Sequence, residues 1–226
     1  MGALYTREHF EAVKAHLKPG GVYAQWLPLW QLSRREFDII AATFLSVFDN
    51  VTLWRGVFNP DRTTLALIAF ADDRPIDLEN VEQRLGDLRV ADPFPDSFLG
   101  SLTGFMLLYA GDLSSQAPKL STVPLNSDDR PRIEWLAPRT LQAVQHGEAT
   151  WLTGRQLADL YDEINRQPFT PGDRLIGGAR DPSIYRLAAA RFYRAEVMAA
   201  AGSPAPAEQL RREAYEMLER GPEGGG

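Results

Sequence analysis

The chain has 226 residues, enough to bury one good core, or one core plus an appendage. Its 24 basic residues are scattered and outnumbered by 30 acidic ones, a net charge of −6, which argues against a nucleic-acid surface. There is no cysteine, which excludes thiol catalysis, disulfides and cysteine-based metal sites.

The longest strongly apolar run, residues 65–71, falls far short of the ~20 residues a membrane span needs, and the N-terminus carries no apolar signal region. The chain reads as soluble and compatible with a reducing compartment. Thr6 can cap a helix whose apolar positions Phe10, Val13 and Leu17 recur at i, i+3 and i+7, and Lys18-Pro19-Gly20-Gly21 stops it. VYAQWL, residues 22–27, follows as a strand with no polar alternation beyond Gln25, which predicts cover on both faces. Ser33 and Glu36 fit a capping box, opening a helix with Phe37, Ile40, Ala41, Phe44 and Val47 on one stripe. NVTLW and TTLALIAF predict two more strands, joined by the turn-prone Asn59-Pro60-Asp61-Arg62. Strands alternating with helices place residues 1–72 in an α/β sheet.

Residues 73–150 read as a helical segment and a return motif of the same domain. Asp77 can cap a helix carrying Leu78, Val81, Leu85 and Leu88, which ADPFPDS breaks. Phe98, Leu102, Phe105, Met106 and Tyr109 form a second apolar stripe. PLNSDDRPRIEWLAPR, residues 124–139, then sets two adjacent carboxylates before a strand-like IEWL. Residues 151–226 form a helical tail, with helices over 153–166, 183–201 and 205–220. The last two, split by GSPAP, make a helix-turn-helix that cannot bury its own face and must dock elsewhere. Leu187, Ala190, Arg191, Arg194 and Met198 give it one mixed face.

LYTREHFEAVKAHLKPGGVYAQWLPLW, followed by FLSVFDNVTLW, TTLALIAF and LNSDDRPRIEWLAPR, resembles the C-terminal half of a spermidine synthase-like protein, over roughly residues 1–140. The nearest branch is the bacterial one whose synthase domain is fused behind membrane segments. The resemblance implies a methyltransferase-like, Rossmann-like fold. Residues 4–17 would be the helix after the fourth strand, 22–27 the fifth strand, and the next two strands the sixth and the antiparallel seventh. The expected fold class is therefore α/β: the C-terminal half of a methyltransferase-like sheet followed by an α-helical extension.

The implied activity is aminopropyl transfer from the co-substrate decarboxylated S-adenosylmethionine to a diamine, in polyamine biosynthesis. The family's Gly-rich nucleotide loop, acidic ribose-binding residue and catalytic aspartate motif would all precede Met1. No catalytic residue, cofactor site or metal site is expected within the chain, which would be inactive alone. Gly20-Gly21 and Gly177-Gly178 lack both the GxGxxG spacing and the strand-then-helix context of a phosphate cradle. Without its preceding strands, 22–27 would keep an unpaired edge and a bare apolar face, an aggregation template. The implied partners are the missing N-terminal half or a second copy, with a polyamine as substrate and neither nucleic acid nor a membrane span. The implied location is the cytoplasm, or a membrane tether through an upstream segment. Two other functions stay open: a non-catalytic interaction module docking through the tail, and a methyltransferase relative with another acceptor.

Few polar residues could carry chemistry. As a metal or acid/base pair, Asp128 and Asp129 would need a further ligand, and only Glu134 is near in sequence. The better role for Asp128, Asp129 and Arg130 is a structural latch that, with Asn126 and Pro131, fixes the direction of the return segment. Loss of Asp129 would then cost about 1–3 kcal/mol. At the C-terminal end of the 22–27 strand, where α/β folds bind ligands, Gln25, Trp26 and Trp30 either line an amine pocket or pack the core. The resemblance makes Gln25 and Trp30 the counterparts of the family's amine-pocket residues. Asn59 stands where standalone spermidine synthases carry a substrate-touching tyrosine before proline, and it also fits an ordinary Asn-Pro turn. His9 and His16 lack an HExxH pattern, and His146 sits near a helix end as a favourable C-terminal charge. Arg34-Arg35 reads as a solvated helix start.

Overall fold

Caps decide where the N-terminal helices begin. The computed structural model describes residues 2–73, 75–91, 100–166, 175–177 and 181–219. Helix α1 (Arg7–His16) starts at Thr6, whose hydroxyl accepts the His9 N–H at 3.3 Å. Strand β1 (Val22–Pro28) follows a turn in which Gly20 takes φ +73°. Helix α2 (Arg34–Leu45) opens on the expected capping box: the Ser33 N–H and hydroxyl both donate to Glu36 Oε2 at 2.7 Å, and the Glu36 N–H donates back to Ser33 Oγ. Its stripe of Phe37, Ile40, Ala41 and Phe44 is buried. Strands β2 (Val51–Arg55) and β3 (Thr64–Phe70) complete the unit.

The chain continues through β4 (Ile76–Asp77), α3 (Leu78–Ala91), α4 (Leu102–Leu107), β5 (Tyr109–Asp112), α5 (Ala117–Leu120) and α6 (Arg132–Gln145). It ends in α7 (Gly154–Asn165), β6 (Leu175–Ile176), α8 (Pro182–Ala200) and α9 (Pro204–Glu219). Two assignments differ from the sequence reading. IEWL is the first turn of α6, because Ile133, Leu136, Ala137, Thr140 and Leu141 continue a helical period and Pro131 suits a helix entry. Tyr109, counted on a helical stripe, begins a strand after α4 has ended at Leu107. Phe98 and the side chain of Leu88 lie outside the described residues.

The architecture is mixed α/β around a small antiparallel sheet of order β1-β3-β2-β5. Strand β3 lies between β1 and β2, antiparallel to both, so Leu67 faces Gln25 on one side and Leu53 on the other. β5 adds to β2 with a bulge at Leu53/Trp54, and β4 and β6 form a separate parallel pair. On one face, Leu27, Leu53, Leu65, Leu67 and Ala69 enter a core with Phe10, Phe37, Ile40 and Phe44. Aromatic pairs knit this side, Phe10 edge-on to Phe44 at 4.9 Å and Tyr23 stacked on Phe44 at 5.9 Å. Leu157, Tyr161 and Tyr193 share that core, so the tail helices belong to the same body.

The opposite face is only partly covered. Trp54, Ala66 and Tyr109 pack with Met106, Leu175 and Tyr185, and α8 lies against β5, α4 and α7. This helical cover stops short of β1, where Val22 and Trp26 are each 54% exposed and Ala24 is exposed between them. Cover of β1 on both faces, expected from its apolar run, is therefore corrected. The strand alternates inward Tyr23 and Leu27 with outward Val22, Ala24 and Trp26. Among the described residues, no helix is long and apolar enough to cross a membrane.

Candidate functional site

The Pro124–Arg139 stretch is held to the body by one side chain that the latch expectation treated as turn chemistry. Asn126 is fully buried. Its N–H donates to Thr43 Oγ1 at 2.9 Å, and its carbonyl accepts the Arg7 N–H at 2.9 Å. Its side-chain amide donates to the Tyr5 carbonyl at 3.1 Å, while Oδ1 accepts the Ile133 N–H at 3.1 Å. One residue thus joins the entry to α1, the middle of α2 and the first turn of α6. Asp128, Asp129 and Arg130 are exposed beside it. The Asp128 N–H donates to Glu8 Oε2 at 3.0 Å, Ser127 and Arg130 close a backbone turn, and no ion pair ties the two aspartates to an arginine among the described residues. The Asn126 amide bonds are the buried part of the fastening, where a polar group has most to lose, and the Asp128 bond to the Glu8 carboxylate is its exposed part.

The three candidate amine residues come from three separate pieces of chain: strand β1, the turn after it and the loop before β3. Gln25 sits in mid-strand, its Oε1 accepting the Tyr23 hydroxyl at 2.6 Å and its amide donating to the Trp26 carbonyl at 3.2 Å. Trp30 lies in the 3-10 turn Leu29–Gln31 beyond β1. Asn59 is near the same end of the sheet, since Pro28 pairs with Thr64, and it is exposed in its turn. Its Oδ1 accepts the Asp61 and Arg62 N–H groups at 2.9 and 3.3 Å, the bonding of an Asx turn.

At that end of the sheet a cleft of about 630 Å³ opens between the Leu29–Gln31 turn and α6. Tyr5, Pro28, Gln31, Leu32, Leu141 and Trp151 line it, and Glu134 supplies a carboxylate. Burial holds the Tyr5 hydroxyl above its ordinary range, so it stays neutral at neutral pH. In the sequence Glu134 stands out only as a neighbour of the aspartates. It is α6 being helical that carries Glu134 to this wall, together with Ala137 and Pro138 one turn on.

A second polar centre is wholly internal. Arg55 is buried, donates from Nη1 to the carbonyls of Tyr109 at 2.6 Å and Leu107 at 3.3 Å, and stacks 4.1 Å above the Tyr161 ring. Among the described residues its Nε and Nη2, the Tyr161 hydroxyl and Nε of buried Arg186 lack a well-formed hydrogen bond, although Arg55 and Tyr161 interact electrostatically. Burial lowers the Arg55 pKa and raises that of Tyr161. Two carbonyls and the Tyr161 ring answer part of the Arg55 charge, and through them Arg55 braces β2 against β5 and the end of α4.

Of the two glycine pairs, Gly20, Gly21 and Gly177 lie among the described residues. Gly20-Gly21 closes α1, and the Gly20 N–H donates to Asp72 Oδ2 at 3.0 Å. Gly177 does follow a strand, β6, and precede α8, which corrects the expected context. Yet a Cβ there would come within 3.2 Å of Asp77 Oδ1, and the start of α8 is filled by Asp181, whose carboxylate accepts the Ser183 N–H at 2.8 Å. Among the described residues, no group of three or more His, Asp or Glu side chains could hold a metal ion. The chain matches no protein-family model, no curated protein and no solved structure.

Proposed function

We propose that this chain is the second half of a spermidine synthase-like aminopropyltransferase and supplies the amine side of its site. The observation that carries the reading is the sheet. β3 lies antiparallel between β1 and β2, the relations that the resemblance assigns to the seventh, fifth and sixth strands of a methyltransferase-like fold. Among the described residues β1 pairs with β3 alone, leaving open the edge where a fourth strand would lie. A segment bearing the Gly-rich loop and the catalytic acid would add its strands there and cover Val22, Ala24 and Trp26.

The cleft beyond β1 supports amine recognition. A diamine needs one anionic or strongly accepting group per ammonium and an apolar channel for its methylenes. Glu134, the Tyr5 and Trp151 rings and the apolar face of α6 offer that combination. On the resemblance, the nucleotide part of decarboxylated S-adenosylmethionine falls to the Gly-rich loop of the other half. Holding and orienting the amine is the part left to this chain. The tail is less suited to a separate docking module, because Leu157, Tyr161 and Tyr193 are already spent on the core.

Calorimetric titration of the full chain with putrescine tests the reading. Binding that weakens at least about tenfold in Glu134→Gln is expected, as when a charged partner is lost. Decarboxylated S-adenosylmethionine should not bind to the chain alone, and aminopropyl transfer should appear on co-expression with a segment carrying the Gly-rich loop and the catalytic acid. Stoichiometric micromolar binding of S-adenosylmethionine to the isolated chain would overturn the division of labour. A methyltransferase relative with another acceptor would show no heat with putrescine.

A further inference from the structure

Helix α6 has a second face that the amine cleft does not use. Arg132, Trp135, Leu136 and Arg139 recur at i, i+3, i+4 and i+7, and this row faces Arg35 and Ile39 at the start of α2 across a groove of about 440 Å³. The loop before α6 adds Asp129 and Arg130 to the rim. Four guanidinium groups against one carboxylate make this a positive site on a chain whose net charge is −6. No residue lining it also lines the amine cleft.

These arginines share one groove and differ in that from the singly placed arginines, such as Arg62, Arg155 and Arg212, that are also unpaired among the described residues. Arg7, Arg34, Arg191, Arg194 and Arg211 each have a carboxylate partner. Arg35, Arg130, Arg132 and Arg139 have none among the described residues, in a chain with carboxylates in excess. Holding four like charges around one groove is unfavourable unless an anion answers them. Arg132 is also pre-positioned, its Nε donating to the Leu125 carbonyl at 3.1 Å. Trp135 is 67% exposed on the same wall, the largest exposure among the big apolar side chains described. The floor between them is apolar, from Ile39, Leu136 and two prolines.

We propose that this groove binds a phosphate-bearing small molecule with a planar ring, of which a nucleoside diphosphate is the simplest form. Guanidinium forks match phosphate oxygens in pairs, and an exposed indole offers a stacking face to a ring. The apolar floor argues against an inorganic ion as the whole ligand, and the volume lies within the range of about 300–1,000 Å³ usual for small-molecule sites.

The test titrates the full chain with ADP, pyrophosphate and adenosine, following tryptophan fluorescence and heat. ADP should bind, should quench fluorescence, and should weaken as salt rises. Adenosine should not bind, and pyrophosphate should bind at least about tenfold more weakly than ADP. The double variant Arg35→Gln/Arg139→Gln should weaken ADP at least about tenfold. Both side chains are exposed, so an unchanged thermal melt verifies that the variant folds. Trp135→Ala should remove the quench and weaken ADP while leaving pyrophosphate unchanged. No ADP binding at about 1 mM in low salt, equal affinity in the double arginine variant, or adenosine binding as tightly as ADP would each overturn the proposal. Putrescine binding should be indifferent to all three substitutions, so this site and the amine cleft fail or stand separately.

Discussion

Asn126 and Asp129 stand three residues apart, and burial gives them opposite weights. Asn126→Ala strands the Tyr5 carbonyl and the Ile133 N–H inside the body, and it is expected to cost about 2–4 kcal/mol. Asp129→Ala is expected to stay within about 0.5 kcal/mol, because the side chain is exposed and unpaired among the described residues. Urea melts of the two variants decide between them, and a larger loss at Asp129 would restore the charged latch. Tyr161 carries a second expectation. Burial raises the pKa of Tyr5, Tyr23, Tyr161 and Tyr193 above the unfolded value, so in alkali the folded chain holds protons that the unfolded chain has lost. The stability from these groups is complete below about pH 10 and is lost as pH rises towards their folded values. Tyr161→Phe keeps the ring under Arg55 and removes a buried hydroxyl that lacks a well-formed hydrogen bond among the described residues. Its stability at pH 7 should be unchanged or higher, and its alkaline loss shallower, when followed by tyrosinate absorbance with urea melts. An equally steep loss would remove Tyr161 from the account.

Among the elements, α2 was the most legible, since its cap and stripe are local. Ser33 and Glu36 sit three apart before an apolar period, and the fold realises both halves of the box. Ser33→Ala should cost about 1–2 kcal/mol, towards the upper end for a cap, because Glu36 is fully buried and loses a donor to Oε2. A change of a few tenths would mean that Glu36 finds another partner. Helix α6 was less legible. IEWL is apolar and short, as a strand would be, and its first turn is secured by Asn126, seven residues before Ile133. Strand β5 was hidden for a similar reason. Tyr109 continues the spacing of α4, and only pairing with β2 draws residues 109–112 into the sheet.

For the whole molecule, the consequence lies at β1. An edge strand with Val22 and Trp26 exposed beside it presents apolar surface together with backbone groups that pair with no strand among the described residues. The purified chain is expected to self-associate, and Trp26→Lys to shift it towards monomer, as read by size-exclusion chromatography with light scattering. On the proposed function, co-expression with a segment bearing the Gly-rich loop should suppress association without the substitution. A monodisperse, cooperatively melting monomer would mean that the fold closes without added strands.

Much of the architecture follows from short-range pattern. The caps at Thr6 and Ser33, the strands at 22–28, 51–55 and 64–70, and the tail helices were readable because each depends on hydrogen bonds and apolar periods within a dozen or so residues. The absence of cysteine excluded thiol chemistry outright. What only the tertiary structure decided is which residues meet. Asn126 joins Tyr5, Thr43 and Ile133; Glu134 reaches the cleft with Tyr5 and Trp151; and Arg35 comes to face Arg139 across the groove. These partners lie up to 146 residues apart, as with Tyr5 and Trp151, and their meeting is set by how the helices pack on the sheet. Burial, which makes Asn126 costly to lose and leaves Asp129 nearly indifferent, depends on that packing and is not a property of either residue alone.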